Sequence, residues 1–152
     1  MSDLLTQLNG GSVPTLDIIM LTTFAALIPS IVVMMTSFTR TIIIISFTRN
    51  AMGVQQAPPN MVLVGITLFL TLYIMNPVIQ RINEEAYQPY LNEEITQEEA
   101  VERATVPLKE FMVRNTYKST LDNFVRMSNT PEEEQAIDYP LTVIVPSFMT
   151  SE

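Results

Sequence analysis

The sequence predicts a mostly α-helical protein, in which a membrane-type hydrophobic helical hairpin precedes a small acidic helical domain. Two runs without a charged residue, 18–39 and 50–80, predict the hairpin. A helix of about 20 apolar residues spans the hydrocarbon core of a bilayer, so each run is long enough to cross one. The charge distribution predicts the second part, because the residues after position 80 carry the whole net charge of −8.

The composition excludes several classes of function. The chain contains no Cys and no His, so it lacks thiol nucleophiles, zinc–thiolate ligands and the commonest general base. Its negative charge argues against nucleic-acid binding, because a polyanion requires a basic surface. The glutamate pairs lie in polar, helix-favouring stretches that are typical of solvated faces. We therefore expect no enzyme activity, no cofactor and no metal site.

The hydrophobic part begins after a polar leader, residues 1–15, which contains a Gly-Gly pair and a proline. No basic residue precedes the first uncharged run, and that run is too long for the core of a secretory signal peptide. The run contains six Ser or Thr residues and Pro29, which predicts a kink. Small hydroxyl side chains let helices approach closely. We interpret the run as a helix packed on other protein, with a simple lipid anchor as the alternative.

The segment that joins the two runs contains four consecutive isoleucines, residues 42–45, which favour a strand by propensity but also fit a continued helix. One straight helix from Asp17 to Met52 would be about 54 Å long, too long for a single crossing. The chain must therefore bend, tilt or leave the bilayer near Arg40. A turn at 49–60 follows, and Asn60 is placed to cap the second helix of the 16–80 hairpin.

The two arginines of the hairpin, Arg40 and Arg49, are its most informative polar residues. An arginine at a bilayer centre costs about 2.5–3.5 kcal/mol on insertion scales, so both are expected at an interface, in a pair or in a wet interior. They lie between the hydrophobic runs, which predicts a cytoplasmic connection and an extracytoplasmic location for residues 81–152. Interfacial snorkelling and an inter-subunit contact are the two explanations of their role.

Helix signals return in the acidic domain, residues 81–140. Thr96 and Glu99 have the spacing of a capping box, so a helix is expected from Gln97. Pro107 is typical of a helix start, and Ser119 is a plausible cap for a third short helix. An acidic loop occupies residues 129–138.

The end of the sequence predicts a change of structure. Residues 141–145 (LTVIV) are mostly β-branched and predict an extended segment. Residues 146–152 then have the pattern of a helix start. We therefore expect 141–152 to be an extended segment that leads into a missing helix.

Seven motifs, in order and spacing, closely resemble the FliP family, which is shared by flagella and injectisome type III secretion systems. The resemblance covers nearly the whole chain from Asp17. The motifs are residues 34–40 (MMTSFTR), 49–53 (RNAMG), 57–60 (APPN), 68–71 (LFLT), 75–78 (MNPV), 85–90 (EAYQPY) and 107–112 (PLKEFM). Two departures from the family pattern are the absence of a signal sequence and the absence of two further hydrophobic helices after residues 146–152. They predict a fragment.

The resemblance implies a subunit of an export gate that performs no bond chemistry. Its implied partners are FliQ-like and FliR-like subunits, further FliP copies, unfolded export substrates and the membrane. The motifs supply the residues that we expect to act in assembly: Arg40, Arg49, Asn50, Pro58, Pro59, Asn60, Asn76, Pro77, Tyr87 and Pro89. The alternative function is an acidic extracytoplasmic binding module that the hairpin merely tethers.

Overall fold

A computed structural model describes residues 15–53 and 57–152, so the predicted leader lies almost entirely outside the described residues. All regular secondary structure within these ranges is helical, which confirms the predicted fold class. The helices are α1 (Thr15–Met35), α2 (Phe38–Ala51), α3 (Asn60–Ile82), a π-helical segment (Asn83–Tyr87), α4 (Gln88–Leu91), α5 (Gln97–Arg114), α6 (Lys118–Met127) and α7 (Leu141–Ser151). The chain divides into two compact units, one ending at Val32 and one from Val33 to Glu152.

The first unit contains most of helix α1, which continues through Pro29. Two of its hydroxyl groups are satisfied locally, because Thr22 and Thr23 donate to backbone carbonyls one turn earlier, at 2.9 and 2.7 Å. Large apolar side chains such as Ile28 are exposed. The described surface of this helix is therefore apolar despite its Thr content.

The second unit begins with an interruption of the helix at Thr36 and Ser37, after which α2 starts at Phe38. The Thr39 hydroxyl donates to the Val33 carbonyl across this break, at 3.0 Å. The four isoleucines lie within α2, so this segment is helical rather than a strand. Because of this interruption, residues 17–52 do not form one straight helix, in agreement with the length argument from the sequence.

Helices α2 and α3 pack together, and we call the small polar residues among their buried positions, Ser37, Thr41, Thr67 and Thr71, the polar seam. Buried positions on α3 recur at every fourth residue and are Leu63, Thr67, Thr71 and Met75. Buried positions on α2 and just before it are Thr41 and Ser37. Such residues allow close helix approach. The large apolar residues of α3 point outward instead, and among them are Met61, Ile66, Phe69, Leu72 and Tyr73.

Helix α3 continues through Asn76 and Pro77, and the proline lies inside the helix. The helical chain runs on without a break through the π-helical segment to Leu91. Of the described helices, this 32-residue run is the one long and apolar enough to cross a membrane. The interrupted pair Ala25–Met35 and Phe38–Ala51 passes the same test together. Helices α2 and α3 of the hairpin belong to the same compact unit as the acidic residues, and the chain is not divided at position 80.

The acidic part confirms one predicted helix start and corrects two others. The Thr96 hydroxyl accepts a hydrogen bond from the Glu99 amide at 3.3 Å, as the capping box predicted. Pro107 lies inside α5 and not at its start. Its ring is fully buried, so packing compensates for the lost backbone donor. Ser119 is not the cap of α6, because that helix starts one residue earlier and Tyr117 occupies the cap position.

The prediction of an extended segment at 141–145 is wrong, because residues Leu141–Ser151 form helix α7. The buried residues of this helix are Val143, Ile144, Ser147 and Phe148, whose spacing places them on one helical face. Burial of that face against α5 and α6 outweighs the β-branched propensity of the segment.

The hydrophobic core lies where α5, α6 and α7 meet. Its buried members are Met112, Leu121, Val125, Tyr139, Val143, Ile144 and Phe148. Phe111 packs against Phe148 with an edge-on geometry, and the two ring centroids are 5.8 Å apart. A domain boundary at residue 140 would cut this core, so the helical domain extends to include α7.

Candidate assembly site

Arg40 connects three parts of the second unit. Its Nη2 atom forms a 2.8 Å ion pair with Oε1 of Glu152, and its Nη1 atom donates to Oδ1 of Asn115 at 3.1 Å. The Asn115 amide in turn donates to the Phe111 carbonyl at 2.8 Å. Helix α2 is thereby joined to the end of α5 and to the residue that follows α7. We call Arg40, Asn115 and Glu152 the Arg40 cluster.

The two charges of this ion pair lie in different surroundings. The Glu152 side chain is 1% exposed, whereas the Arg40 side chain is 41% exposed. Burial raises the pKa of the Glu152 carboxyl, and the neighbouring Arg40 charge opposes that rise without cancelling it. Oε2 of Glu152 is buried and has no hydrogen-bond partner among the described residues. The carboxylate therefore depends strongly on its single cationic partner.

Arg49 closes the turn between the two hairpin helices. Its Nη1 atom donates to Oδ1 of Asn60 at 2.6 Å and to the Pro58 carbonyl at 3.4 Å. Asn60 is therefore not the predicted N-cap: Pro59 occupies that position, and the Asn60 amide oxygen accepts from the arginine instead. We call Arg49, Pro58 and Asn60 the Arg49 clamp. It brings together three residues that the sequence had singled out.

The Arg49 guanidinium lacks an acidic partner within residues 15–53 and 57–152. The ion pairs of these residues involve only Arg40, Arg81 and Arg103. Nε of Arg49 is buried and has no hydrogen-bond partner there. The turn itself passes through Gly53, whose φ of +72° is a conformation that glycine adopts without strain.

The remaining predicted assembly residues lie apart from these two clusters. Asn50 is exposed in the last turn of α2, and its carbonyl accepts the Gly53 amide at 3.1 Å. Asn76 and Pro77 are exposed on α3, Tyr87 ends the π-helical segment, and Pro89 lies in the first turn of α4. In the described part of the chain, no hydrogen bond or ion pair joins the last four to either arginine.

Sequence reasoning did not find a third charged contact, which joins α3 to α5. Arg81 pairs with Glu85 at 3.0 Å, one turn on, and with Glu110 on α5. The hydrogen bond from Arg81 lowers the pKa of Glu110 below its ordinary value. The four-residue spacing of Arg81 and Glu85 is a signal that the sequence contains. No local pattern reveals the longer contacts to Glu110, Asn115 or Glu152.

Comparison with known proteins shows the family to which the chain belongs. The FliP family model matches residues 20–152. The flagellar biosynthetic protein FliP of Pectobacterium carotovorum is 44% identical over 95% of this chain and 57% of its own length. The proteins of that name from Aquifex aeolicus and Bacillus subtilis are 42% and 40% identical, over 95% and 91% of this chain and 61% and 62% of their own lengths. The chain thus spans about three fifths of these relatives, and it belongs to the FliP family.

Proposed function

We propose that this chain acts as a subunit of the flagellar type III protein export gate. Together with FliQ-like and FliR-like subunits and further copies of itself, it contributes to the inner-membrane channel through which unfolded flagellar proteins leave the cell. Its role is structural, and it carries out no bond chemistry. The family match supports this proposal, since the relatives are flagellar biosynthetic proteins.

The observation that carries the proposal is the pattern of burial on α3. This helix buries a stripe of every fourth residue that includes Thr67 and Thr71, and it exposes large apolar residues such as Phe69. A water-soluble helix buries its apolar face instead. The outward surface of α3 therefore suits lipid or the apolar surface of another subunit. A mere anchor has no need of the polar seam.

The ten predicted assembly residues have physical roles that fit this proposal. The Arg49 clamp sets the geometry of the turn, together with Asn50 and Pro59. The Arg40 cluster holds α2 against the ends of α5 and α7. Asn76, Pro77, Tyr87 and Pro89 lie where the uncharged helix passes into the acidic domain. We propose that these groups hold the outward surfaces in the shape that neighbouring subunits recognise.

The orientation of the chain follows from its charges. Of the two arginines in the hydrophobic part, Arg49 lies at the α2–α3 turn, whereas Arg40 lies at the other end of α2, beside Asn115 and Glu152. We propose that this turn faces the cytoplasm and that residues 81–152 are extracytoplasmic.

A chimeric protein tests the function directly. Residues 20–152 of this chain replace the matching segment of the Pectobacterium protein in a strain that lacks its own FliP. We expect restored swimming motility and flagellar proteins in the culture medium. The matched control is a chimera whose residues 60–80 are replaced by leucine at equal length, which keeps the hydrophobic span and removes the polar seam.

The two chimeras separate a gate subunit from a tether. A gate subunit requires the polar seam, so the leucine chimera should enter the membrane and remain non-motile. A tethered binding module requires only an anchor, so both chimeras would behave alike. Equal motility of the two chimeras would therefore contradict the proposed function.

A further inference from the structure

Glu152 is a buried acid whose carboxylate has a single charged partner. Its side chain is 1% exposed, and its Oε1 atom lies 2.8 Å from Nη2 of Arg40. Its Oε2 atom is buried and accepts no hydrogen bond from the described residues. An ionised carboxylate in such surroundings is costly, because burial removes the water that solvates it. Arg40 supplies the interaction that opposes this cost.

The helices around Glu152 contribute no second charge to it. At the end of α5, Asn115 contacts Arg40 through a neutral side-chain amide. Just before α6, the backbone amide of Tyr117 donates to the hydroxyl of the residue that precedes Glu152, at 3.2 Å. Helix α7 contains no charged residue. The basic residues at the ends of α5 and α6 form no ion pair with Glu152 in the part of the chain that the structure describes, and they are Arg114 and Lys118.

The affinity of Glu152 for a proton depends on the position of Arg40. Burial raises the pKa of the Glu152 carboxyl above its ordinary value, and the Arg40 charge opposes that rise. If Arg40 moved into water while Glu152 stayed buried, the opposing effect would be lost and the carboxyl would bind a proton more tightly still. Arginine keeps its own proton throughout. Proton uptake by Glu152 therefore favours an arrangement in which Arg40 has left it.

Arg40 is placed to move outward, whereas Glu152 is not. The Arg40 side chain is 41% exposed, and its other polar contact is the 3.1 Å hydrogen bond to Asn115. Helix α2 begins at Phe38, directly after an interruption of the helix, so this end of α2 is not held by a continuous helix before it. Glu152 follows α7, and one face of α7 is buried in the core.

We infer that the Arg40 cluster is a proton-operated latch between α2 and the helices α5, α6 and α7. In the closed arrangement, the ion pair between Arg40 and Glu152 holds the end of α2. When the Glu152 carboxylate takes up one proton, it becomes a neutral acid, Arg40 moves into solvent, and this end of α2 moves away. The latch goes beyond the proposed function and does not depend on it. The proposed orientation adds only that the extracytoplasmic pH sets the latch.

Pulsed EPR measurement of the distance between two spin labels tests the latch. The chain contains no Cys, so labels attach only where Cys is introduced. Ile43→Cys on α2 and Met127→Cys on α6 replace exposed residues, and this pair reports the position of α2 against the other helices. Acidification of the purified protein in detergent from about pH 7.5 to about pH 5.5 should produce a second distance. The ratio of the two populations should change by at most about tenfold per pH unit, the limit for one proton.

Two variants and a second label pair serve as comparisons. Glu152→Gln is neutral at every pH and imitates the protonated acid, so it should show the second distance at both pH values. Glu99→Gln is the matched control, because Glu99 pairs with Arg103 on the exposed surface of α5, and this variant should keep the pH response. Labels at Val101→Cys and Met127→Cys lie on α5 and α6, and their distance should not change.

The melting temperature gives an independent readout of the same proton. A carboxyl whose pKa is raised in the folded protein contributes stability that is present below the unfolded-state pKa and is lost as pH rises through the folded-state pKa. The melting temperature of the unsubstituted protein, relative to that of Glu152→Gln, should therefore rise on acidification over the same range. A fall in this difference would contradict the latch.

The label distances also state what would overturn the latch. A single distance at both pH values in the unsubstituted background would do so, and so would a closed arrangement in Glu152→Gln. A pH-dependent distance between the labels on α5 and α6 would show general loosening in place of a latch. Loss of the pH response in Glu99→Gln would assign the effect to another acid. Because none of these results involves motility, the proposed function stands or fails by its own test.

Discussion

Arg40 and Glu152 form a 2.8 Å ion pair that joins helix α2 to the residue that follows α7. The carboxylate is buried and the guanidinium is half exposed, and Asn115 supports the arginine from the end of α5. The pair therefore fixes the position of α7, and with it the core, relative to the hairpin. An arginine in a largely apolar sequence thus has an intrachain role that an exposed anchor would not have.

Loss of Arg40 should destabilise the protein more than loss of its partner does. Arg40→Leu leaves the Glu152 carboxylate buried with no cation, and we expect a loss of about 3–5 kcal/mol, the cost of removing one partner of a buried ion pair. Thermal unfolding in detergent, followed by circular dichroism, measures the change. Glu152→Gln should cost less, because the amide removes the buried charge and keeps an acceptor. Equal losses for the two variants would argue against this account of the pair.

The polar seam between α2 and α3 predicts that Thr67 tolerates a smaller hydroxyl side chain but not a larger apolar one. This residue is fully buried, and its hydroxyl donates to the Leu63 carbonyl at 2.7 Å. Thr67→Leu inserts a larger side chain at the seam and should cost about 1–3 kcal/mol through overpacking. Thr67→Ser, the matched control, keeps the hydroxyl group and should be tolerated. Proteolysis of membrane preparations reports opening of the hairpin, and resistance equal to wild type in Thr67→Leu would contradict a close seam.

The contact between Arg81 and Glu110 predicts a dependence of stability on pH. The hydrogen bond from Arg81 lowers the pKa of Glu110 in the folded protein. The contact therefore contributes stability above the unfolded-state pKa, and that contribution is lost as pH falls through the lower folded-state pKa. Stability should decline on acidification below about pH 5, more in wild type than in Glu110→Gln. Identical pH profiles of the melting temperature would exclude this role for Glu110.

The core predicts a severe effect at Phe148. This side chain has no exposed surface and packs edge-on against Phe111. Phe148→Ala should cost about 3–5 kcal/mol, because it removes buried apolar contacts and leaves a cavity. The control is Tyr117→Ala, since Tyr117 is an aromatic residue that is 69% exposed. Chemical unfolding measures both variants, and similar midpoints for the two would show that α7 does not complete the core.

Local patterns predicted the parts of the fold that local interactions determine. The uncharged runs predicted helical hairpin segments, and the spacing of Thr96 and Glu99 predicted a cap that the structure contains. Propensity failed where packing decides the conformation. Pro107 is accommodated within a helix by burial of its ring, and the β-branched segment after Pro140 is helical because one face enters the core.

The same distinction between local sequence patterns and long-range packing applies to the candidate site. The motifs singled out Arg40, Arg49, Pro58 and Asn60, and three of these meet in the Arg49 clamp. The partners of Arg40 could not be predicted, because Asn115 and Glu152 are distant in sequence and reach it only through the packing of α5 and α7.

The Arg49 clamp offers the most direct test of the claim that this chain is a gate subunit and not a tether. Arg49→Leu is introduced into the chimera described above. The measurement is the amount of FliQ-like and FliR-like subunits that co-purifies with this variant, compared with the parent chimera. Insertion into the membrane should be unaffected, because removal of a charge lowers the insertion cost. Asn60 would lose the donor that holds the turn at 2.6 Å, so recovery of partner subunits and motility should both fall. Normal partner recovery and normal motility in this variant would contradict the account.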